Sequence, residues 1–264
     1  MIKNNINKIK KLRKITGSGL IDCKNALIKS NNNIKNAIIE MRKIGILKFN
    51  EKKNISIING IVKTKKEGKY GIIIEVNCQT DFTSKSKEFR NFINNIIQKI
   101  LNNNIKNTIK YNLIYKNEII NLFNKIKENI NIKRVFILNE NIIEEYNHNN
   151  RIGVLIQAKF IQKKKLKKIA MHIASNKPDF INIENIYYNL IINEYKIQKN
   201  LIKKKNFLYK KILFGKIIKY INEITLINQK FIFNTLIKIK KILNNKNSII
   251  LNFIRYELGE KKIK

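Results

Sequence analysis

The chain has 264 residues, of which 44% are hydrophobic, so it can bury a core in one large domain or in two to three smaller ones. Its 55 Lys and Arg against 18 Asp and Glu give a formal charge of +37, which by itself is typical of nucleic-acid or anionic-membrane binding. Lys, Ile and Asn dominate every segment alike, so we interpret the charge first as A+T-rich codon usage spread over solvated faces.

Cysteine spacing and hydropathy exclude further classes. Cys23 and Cys78 lack a partner at metal-ligand or disulfide-framework spacing, so the sequence predicts neither a zinc site nor a secreted scaffold. Lys or Asn interrupts each apolar run before the roughly 18 residues that a membrane helix needs, and the basic N-terminus leads into no signal-peptide core. We therefore expect a soluble, cytoplasmic protein with no membrane partner.

The N-terminal residues predict three helices. Apolar residues recur near helical spacing from Ile2 to Ile9 and from Leu20 to Leu27, and Gly17-Ser18-Gly19 predicts a tight turn between them. A third amphipathic pattern runs from Ile34 to Met41 after a run of capping residues. Residues 1–53 are therefore predicted to form a helical domain.

A second part begins after Phe49–Ser56, which we interpret as a linker because it lacks a sustained apolar period. Ile57–Thr64 and Tyr70–Val76 predict paired strands, since β-branched residues fill both arms around a glycine. Phe89–Ile97 then carries one apolar helical stripe. We expect residues 54–140 to form the N-terminal subdomain of an α+β core.

Strands and helices stay mixed in the middle of the chain. Val135–Leu138 is a wholly apolar run suited to a buried strand, and Ile142–Tyr146 can pair with Ile152–Phe160 across an Asn-Asn turn. Leu166–Ile173 predicts an amphipathic helix that ends near Pro178.

The last part predicts a helical hairpin and a closing strand. Ile186–Leu201 and Phe207–Ile221 are long apolar-periodic stretches, which places an antiparallel hairpin at about 184–222. Ile249–Glu257 predicts a final strand. We therefore expect residues 141–264 to form the C-terminal subdomain, and the absence of regular βαβ alternation indicates the α+β class.

The chain offers few groups for chemistry. His148 and His172 lie in different segments without a nucleophile beside them, and Glu75, Asp81 and Glu88 have no regular metal-ligand spacing. The sequence therefore predicts no catalytic residue, no metal and no cofactor.

Asn77–Phe82 is the most unusual stretch, because it follows a strongly apolar strand and places a large aromatic residue among Thr, Ser and Lys. Burying a Phe side chain stabilises by roughly 1.5–3 kcal/mol, so a loop that carries one usually has a pocket for it. That pocket lies either in the chain's own core or in a partner.

Glu75–Phe82 resembles the signature of the elongation factor Ts family. Further segments agree in the same order along nearly the whole chain. They are Leu12-Arg13, Thr16-Gly17, Gly19, Asp22-Cys23-Lys24, Ala26-Leu27, Met41-Arg42-Lys43, Asn129-Ile130, Arg134, Arg151–Leu155, Ile169–Ala174, Pro178, Phe253–Glu257 and Gly259.

The resemblance implies a fold and a function. The first helices would form a ubiquitin-associated-like domain, followed by a two-part α+β core with a coiled-coil hairpin through which a homodimer can form. The partner would be elongation factor Tu, in its GDP-bound and nucleotide-free forms, from which the chain promotes GDP release without any covalent reaction. No direct nucleic-acid partner is expected.

The resemblance also implies contact residues. The tip Thr80, Asp81, Phe82 and Thr83 would displace the magnesium site of the partner, with Phe82 as the wedge. Further contacts carry over to Leu12, Arg13, Leu20, Ile21, Ile152, Gly153 and His172. For Leu20 and His172 the alternative is an ordinary core position.

A second function class stays open. Charge alone supports a basic RNA- or ribosome-associated protein, whose binding would fall steeply with salt. A small-molecule enzyme would need site residues that the sequence does not contain.

Overall fold

The computed structural model describes residues 2–41, 43, 58–102, 111–139, 142–201, 208–243 and 247–260. The chain divides into two units: the first comprises Met1–Lys63, Ile73–Ile137 and Glu257–Lys264, and the second Thr64–Ile72 and Leu138–Tyr256. The expected linker Phe49–Ser56 lies outside the described residues, and the expected domain boundaries stay a prediction.

Helices and strands are mixed in an α+β fold, as predicted. The helices are α1 (Ile2–Thr16), α2 (Leu20–Lys29), α3 (34–41), α4 (Asp81–Lys85), α5 (Lys87–Asn102), α6 (Tyr111–Ile114), α7 (Lys116–Ile126), α8 (Lys163–Asn176), α9 (Tyr188–Leu201), α10 (Tyr209–Ile224) and α11 (Ile239–Ile242). The strands are β1 (Asn59–Glu67), β2 (Tyr70–Cys78), β3 (Ile130–Asn139), β4 (Ile142–His148), β5 (Ile152–Lys159), β6 (Lys230–Phe231), β7 (Asn234–Lys238) and β8 (Ile249–Glu257). Within these residues no helix is both long and apolar enough to span a bilayer.

α1, α2 and α3 form the N-terminal module, which confirms the predicted helices. Gly17 ends α1 at φ +67°, a conformation that favours glycine, and a Cβ there would lie 2.9 Å from Lys125 Cγ. The helices enclose a small core of Leu12, Cys23, Ala26, Leu27, Ala37 and Met41. Short helices of this kind depend on such packing, because isolated helices of this length are marginal in water.

The first sheet has the order β1-β2-β3, so β2 is its central strand. β2 is buried from Gly71 to Cys78, as expected for a central strand. β3 contains the apolar run Val135–Leu138, so the predicted strand is confirmed, but β3 lies at the edge and Phe136 and Ile137 are only half-buried. An edge strand is covered less completely than a central one, which apolarity alone does not reveal.

The second sheet has the order β4-β5-β8. β4 and β5 are antiparallel from Ile142 opposite Ala158 to His148 opposite Ile152. The turn that joins them holds Asn149 and Asn150 at φ 50° and 56°, which Asn tolerates better than most residues. The predicted Asn-Asn hairpin is therefore confirmed.

α8 packs its apolar stripe against this sheet's strands β4 and β5. Leu166, Ile169, Ala170 and Ile173 are fully buried at helical spacing. The helix ends at Asn176, and Lys177 caps it in the left-handed conformation just before Pro178. The predicted stop near Pro178 is confirmed.

α9 and α10 pack against each other and form the predicted helical hairpin. α9 has no buried residue and α10 has only Leu213, while large apolar side chains such as Tyr195, Ile197 and Phe214 are exposed. The predicted break at Lys203–Asn206 lies outside the described residues.

Candidate functional site

The tip (Thr80–Thr83) forms where β2 ends and α4 begins. Sequence reasoning described this stretch as a loop, but Asp81–Lys85 is a short helix and Thr80 is its N-cap. The Thr80 hydroxyl accepts a hydrogen bond from the Thr83 backbone N–H at 3.2 Å. Threonine is among the residues favoured at an N-cap because its oxygen satisfies a free helix N–H.

Glu128 anchors the tip from the segment between α7 and β3. Its Oε1 accepts from the Thr80 hydroxyl at 2.7 Å and its Oε2 accepts from the Thr80 backbone N–H at 3.0 Å. Hydrogen bonds to a charged acceptor are among the stronger ones in proteins. The start of α4 is therefore held by a residue 48 positions away in sequence.

Phe82 is the exposed residue of the tip, with 81% of its surface accessible. Among the residues that the structure describes, this side chain is therefore not part of the chain's own core. Asp81 beside it is exposed and accepts from Lys85 Nζ at 2.8 Å one helical turn on. This hydrogen bond, aided by the Lys85 charge, lowers the pKa of Asp81, so the carboxylate is ionised at neutral pH.

Thr83 faces the opposite way and is buried. Its carbonyl accepts from the Ser86 backbone N–H at 3.0 Å and from the Ser86 hydroxyl at 2.8 Å. The same hydroxyl receives the Phe89 N–H at 3.2 Å at the start of α5. α4 is thus fixed at both ends while Phe82 faces solvent.

The backbone below the tip is also held by side chains. Asn59 Nδ2 donates to the Gln79 carbonyl at 2.8 Å, and Gln79 Oε1 accepts from the Asn129 N–H at 3.3 Å. The Cys78 thiol donates to the Thr80 carbonyl at 3.2 Å. Burial raises the pKa of Cys78 to about 12, with Glu128 and Asp81 adding to the shift, so the thiol stays protonated.

The N-terminal module contains both exposed and buried candidates. Leu20 and Ile21 are 52% and 72% exposed, and Arg13 is exposed as well. Leu20 is therefore not a core residue. Leu12 has no accessible surface and lies in the core of the module, where its side chain supports the fold.

The remaining candidates belong to the second unit. Ile152 is half-buried and Gly153 is buried in β5. His172 is fully buried in α8, where its Nε2 donates to Gln229 Oε1 at 2.7 Å and its Nδ1 accepts from the Ile232 N–H at 3.3 Å. Desolvation lowers the pKa of His172, so the imidazole is neutral with its proton on Nε2.

Sequence reasoning missed Glu128, Gln229 and the role of Glu75. Glu128 and Gln229 have no local pattern that distinguishes them. Glu75 did leave a signal, because a carboxylate inside an apolar strand must have partners. It is fully buried and accepts from Arg134 Nε at 2.6 Å and Lys133 Nζ at 3.1 Å, together with the Gly259 N–H at 3.1 Å.

The arrangement is suited to binding. Across the part of the chain that the structure describes, no three His, Cys, Asp or Glu side chains lie close enough to hold a metal ion. The tip presents one aromatic ring and one carboxylate on a base held by hydrogen bonds. Such a tip can enter a pocket on another molecule.

Comparisons with known proteins identify the family of this chain. The family model described as Elongation factor TS matches residues 79–260, a range that includes the tip. The chain is 37% identical over 255 residues to elongation factor Ts of Serratia proteamaculans, covering 96% of this chain and 90% of the relative. It is 35% identical to that of Cronobacter sakazakii and 36% identical to that of Escherichia coli O139:H28, with the same coverage. By family match and by identity over almost its full length, the chain belongs to the elongation factor Ts family.

Proposed function

We propose that this translation elongation factor binds elongation factor Tu carrying GDP and promotes the exchange of GDP for GTP. The observation that carries the proposal is Phe82, which is 81% exposed on a helix fixed at both ends. Burying an exposed Phe side chain stabilises by roughly 1.5–3 kcal/mol, so a pocket on a partner that takes up Phe82 would gain this free energy on binding. Membership of a family that acts with elongation factor Tu supports the choice of partner.

Phe82 is the wedge in this mechanism. It inserts between helices of the partner's GTPase domain, with Asp81 as its polar neighbour and Thr80 and Thr83 holding the turn. A side chain on a preorganised base loses little conformational freedom on binding, so more of its burial energy is available to displace helices of the partner. The displaced helices lose contacts with the magnesium ion and the phosphates.

The energetic requirement is modest. Each 1.4 kcal/mol removed from nucleotide binding speeds dissociation about tenfold if the barrier falls equally. The coupling is reciprocal, so a factor that weakens GDP binding binds more weakly itself when GDP is present. Nucleotide reloading therefore expels the factor. No covalent bond changes, and the chain acts as an exchange factor and not as an enzyme.

Other surfaces extend the contact. Arg13, Leu20 and Ile21 are each exposed on the N-terminal module and would contact a second face of the GTPase domain. Leu12 in the N-terminal module and Gly153 and His172 in the second unit are buried and would support the contact from inside. Ile152 is half-buried and would contribute from β5. The exposed apolar side chains of α9 and α10 suit a homodimer. The protein would act in the cytoplasm and without direct contact to nucleic acid.

The test measures release of a fluorescent GDP analogue from the cognate elongation factor Tu, with wild type, Phe82→Ala and Phe160→Ala. Phe160 is a matched control because it is also an exposed phenylalanine, 67% accessible directly after β5, and it belongs to none of the proposed contact surfaces. We expect strong acceleration by wild type and by Phe160→Ala and a loss of at least about tenfold for Phe82→Ala, corresponding to roughly 1.4 kcal/mol. The unfolding midpoint of Phe82→Ala should equal that of wild type, because the side chain is exposed.

Other outcomes are informative. Equal acceleration by wild type and Phe82→Ala would keep the function and reject the wedge. No acceleration by wild type would reject exchange on this partner and favour the RNA-associated alternative, which titration with RNA across a salt series would test.

A further inference from the structure

Glu128 lies outside the tip and connects Thr80 of the tip to the segment between α7 and β3. Both of its oxygens are used on one residue, since Oε1 accepts the Thr80 hydroxyl at 2.7 Å and Oε2 the Thr80 N–H at 3.0 Å. A carboxylate that receives two donors of one residue fixes both the backbone position and the side-chain rotamer of that residue.

The side-chain rotamer of Thr80 matters because its hydroxyl also caps the N-terminus of α4. Its hydrogen points to Glu128, which leaves an oxygen lone pair for the Thr83 N–H at 3.2 Å. α4 is only 5 residues long, and a helix of that length is not stable by itself. The direction of Phe82, two residues after Thr80, therefore depends on the contact that Glu128 makes.

Glu128 is itself held by its neighbours in the α7–β3 junction (Lys127–Asn129). Lys127 ends α7 in the left-handed conformation, with its N–H bonded to the Phe123 carbonyl at 2.6 Å. The Asn129 N–H donates to Gln79 Oε1 at 3.3 Å, a second link to the segment that carries the tip.

The same junction contacts the N-terminal module. Lys127 Nζ forms an ion pair with Asp22 Oδ2 at 2.8 Å. Asp22 directly follows the exposed Leu20 and Ile21 in sequence. Lys127 and Glu128, adjacent in sequence, thus hold Asp22, the neighbour of Ile21, and Thr80 of the tip.

We propose that Glu128 is a positioning residue for nucleotide exchange: it fixes Thr80, and through Thr80 the direction of Phe82, relative to the N-terminal module. The inference rests on the proposed function, because the tip must be aimed for a wedge to act. Glu128 itself contacts neither nucleotide nor magnesium in this mechanism.

The experiment compares Glu128→Gln with Glu118→Gln. Glutamine keeps the shape of Glu128 but offers a single acceptor oxygen, so one of the two Thr80 donors faces an amide NH2. Glu118 is the matched control because it lies on α7 of the same unit and its carboxylate is partly exposed against Lys99. Two quantities are measured: GDP release against protein concentration, and amide hydrogen exchange at Thr80 and Thr83, with Ile74 of β2 as the reference.

For Glu128→Gln we expect the maximal rate of GDP release to fall about tenfold, roughly 1.4 kcal/mol, while the half-saturating concentration changes less. Hydrogen exchange should become faster at Thr80 and Thr83 and stay unchanged at Ile74. Glu118→Gln should equal wild type in each measurement. A purely structural role would instead change Ile74 together with the tip.

Three results would overturn the inference: a wild-type maximal rate, unchanged protection of Thr80 and Thr83, or faster exchange at Ile74 equal to that at the tip. If wild-type protein does not accelerate GDP release at all, the proposed function fails, and hydrogen exchange alone decides whether Glu128 fixes the tip.

Discussion

The tip in the first unit and the His172 cluster (His172 and Gln229) in the second unit are both held by side-chain hydrogen bonds between residues far apart in sequence. At the tip these bonds support an exposed side chain, whereas in the His172 cluster they satisfy buried polar groups. At the tip, Glu128 and Thr80 are half-buried supports and Phe82 is exposed. In the His172 cluster, His172 and Gln229 support each other and both are buried. The difference shows that residues suggested by one family resemblance differ in accessibility: Phe82 is open to a partner, whereas His172 is enclosed in the protein.

The largest expected effect is on stability, and it compares a buried with an exposed leucine of the N-terminal module. Leu12→Ala opens a cavity in a core of six buried residues and should lower the free energy of unfolding by about 2–5 kcal/mol. Leu20→Ala removes a side chain that is 52% exposed and should change stability by less than about 0.5 kcal/mol.

Urea unfolding of both variants measures these values. In the exchange assay, Leu20→Ala should raise the protein concentration that gives half-maximal GDP release, while the free energy of unfolding stays unchanged. Equal stability loss in both variants would contradict the distinction between a buried and an exposed leucine in this module.

The second prediction concerns pH and the His172 cluster. Burial lowers the folded-state pKa of His172, whereas the unfolded value is about 6.5. The unfolded chain therefore binds this proton more readily than the folded chain. The contribution of His172 to the free energy of unfolding is fully present above pH about 6.5. It is lost as the pH falls below that value, at up to about 1.4 kcal/mol per pH unit.

Unfolding free energies between pH 5.5 and 7.5 test this prediction for wild type, His172→Gln and His148→Gln. His172→Gln should remove this slope and cost about 1–3 kcal/mol at pH 7.5, because the Ile232 N–H loses its acceptor. His148→Gln changes the other of the two histidines, which is exposed, and should retain the slope. An identical slope in wild type and His172→Gln would show that another group causes it.

The smallest effect returns to the tip. Thr80→Val keeps the shape of the side chain but removes the cap to Thr83 and the hydrogen bond to Glu128, and should cost about 0.5–2 kcal/mol of stability. Thr80→Ser keeps both hydrogen bonds and should remain close to wild type. Thermal unfolding measures the pair, and equal stability of the valine and serine variants would indicate that the hydroxyl does not support α4.

Much of the fold follows from patterns along the chain. The helical stripes of α5 and α8, the Asn149-Asn150 turn between β4 and β5, and the strand at Ile249–Glu257 depend on residues a few positions apart. Periodicity and turn chemistry act over that range, which explains why these elements were predicted. The short helix at Asp81–Lys85 was not, because five residues contain too little of a helical period to recognise.

The sequence by itself determined the α+β class, the order of most elements, the family signature and the tip as the most unusual stretch. Only the tertiary structure decided that Phe82 and Leu20 face solvent, that Leu12 and His172 do not, and that Glu128 holds Thr80. The reason is the range of the interactions involved. The Thr80–Glu128 and His172–Gln229 hydrogen bonds join residues 48 and 57 positions apart, and no local pattern records which distant side chain completes a polar pair.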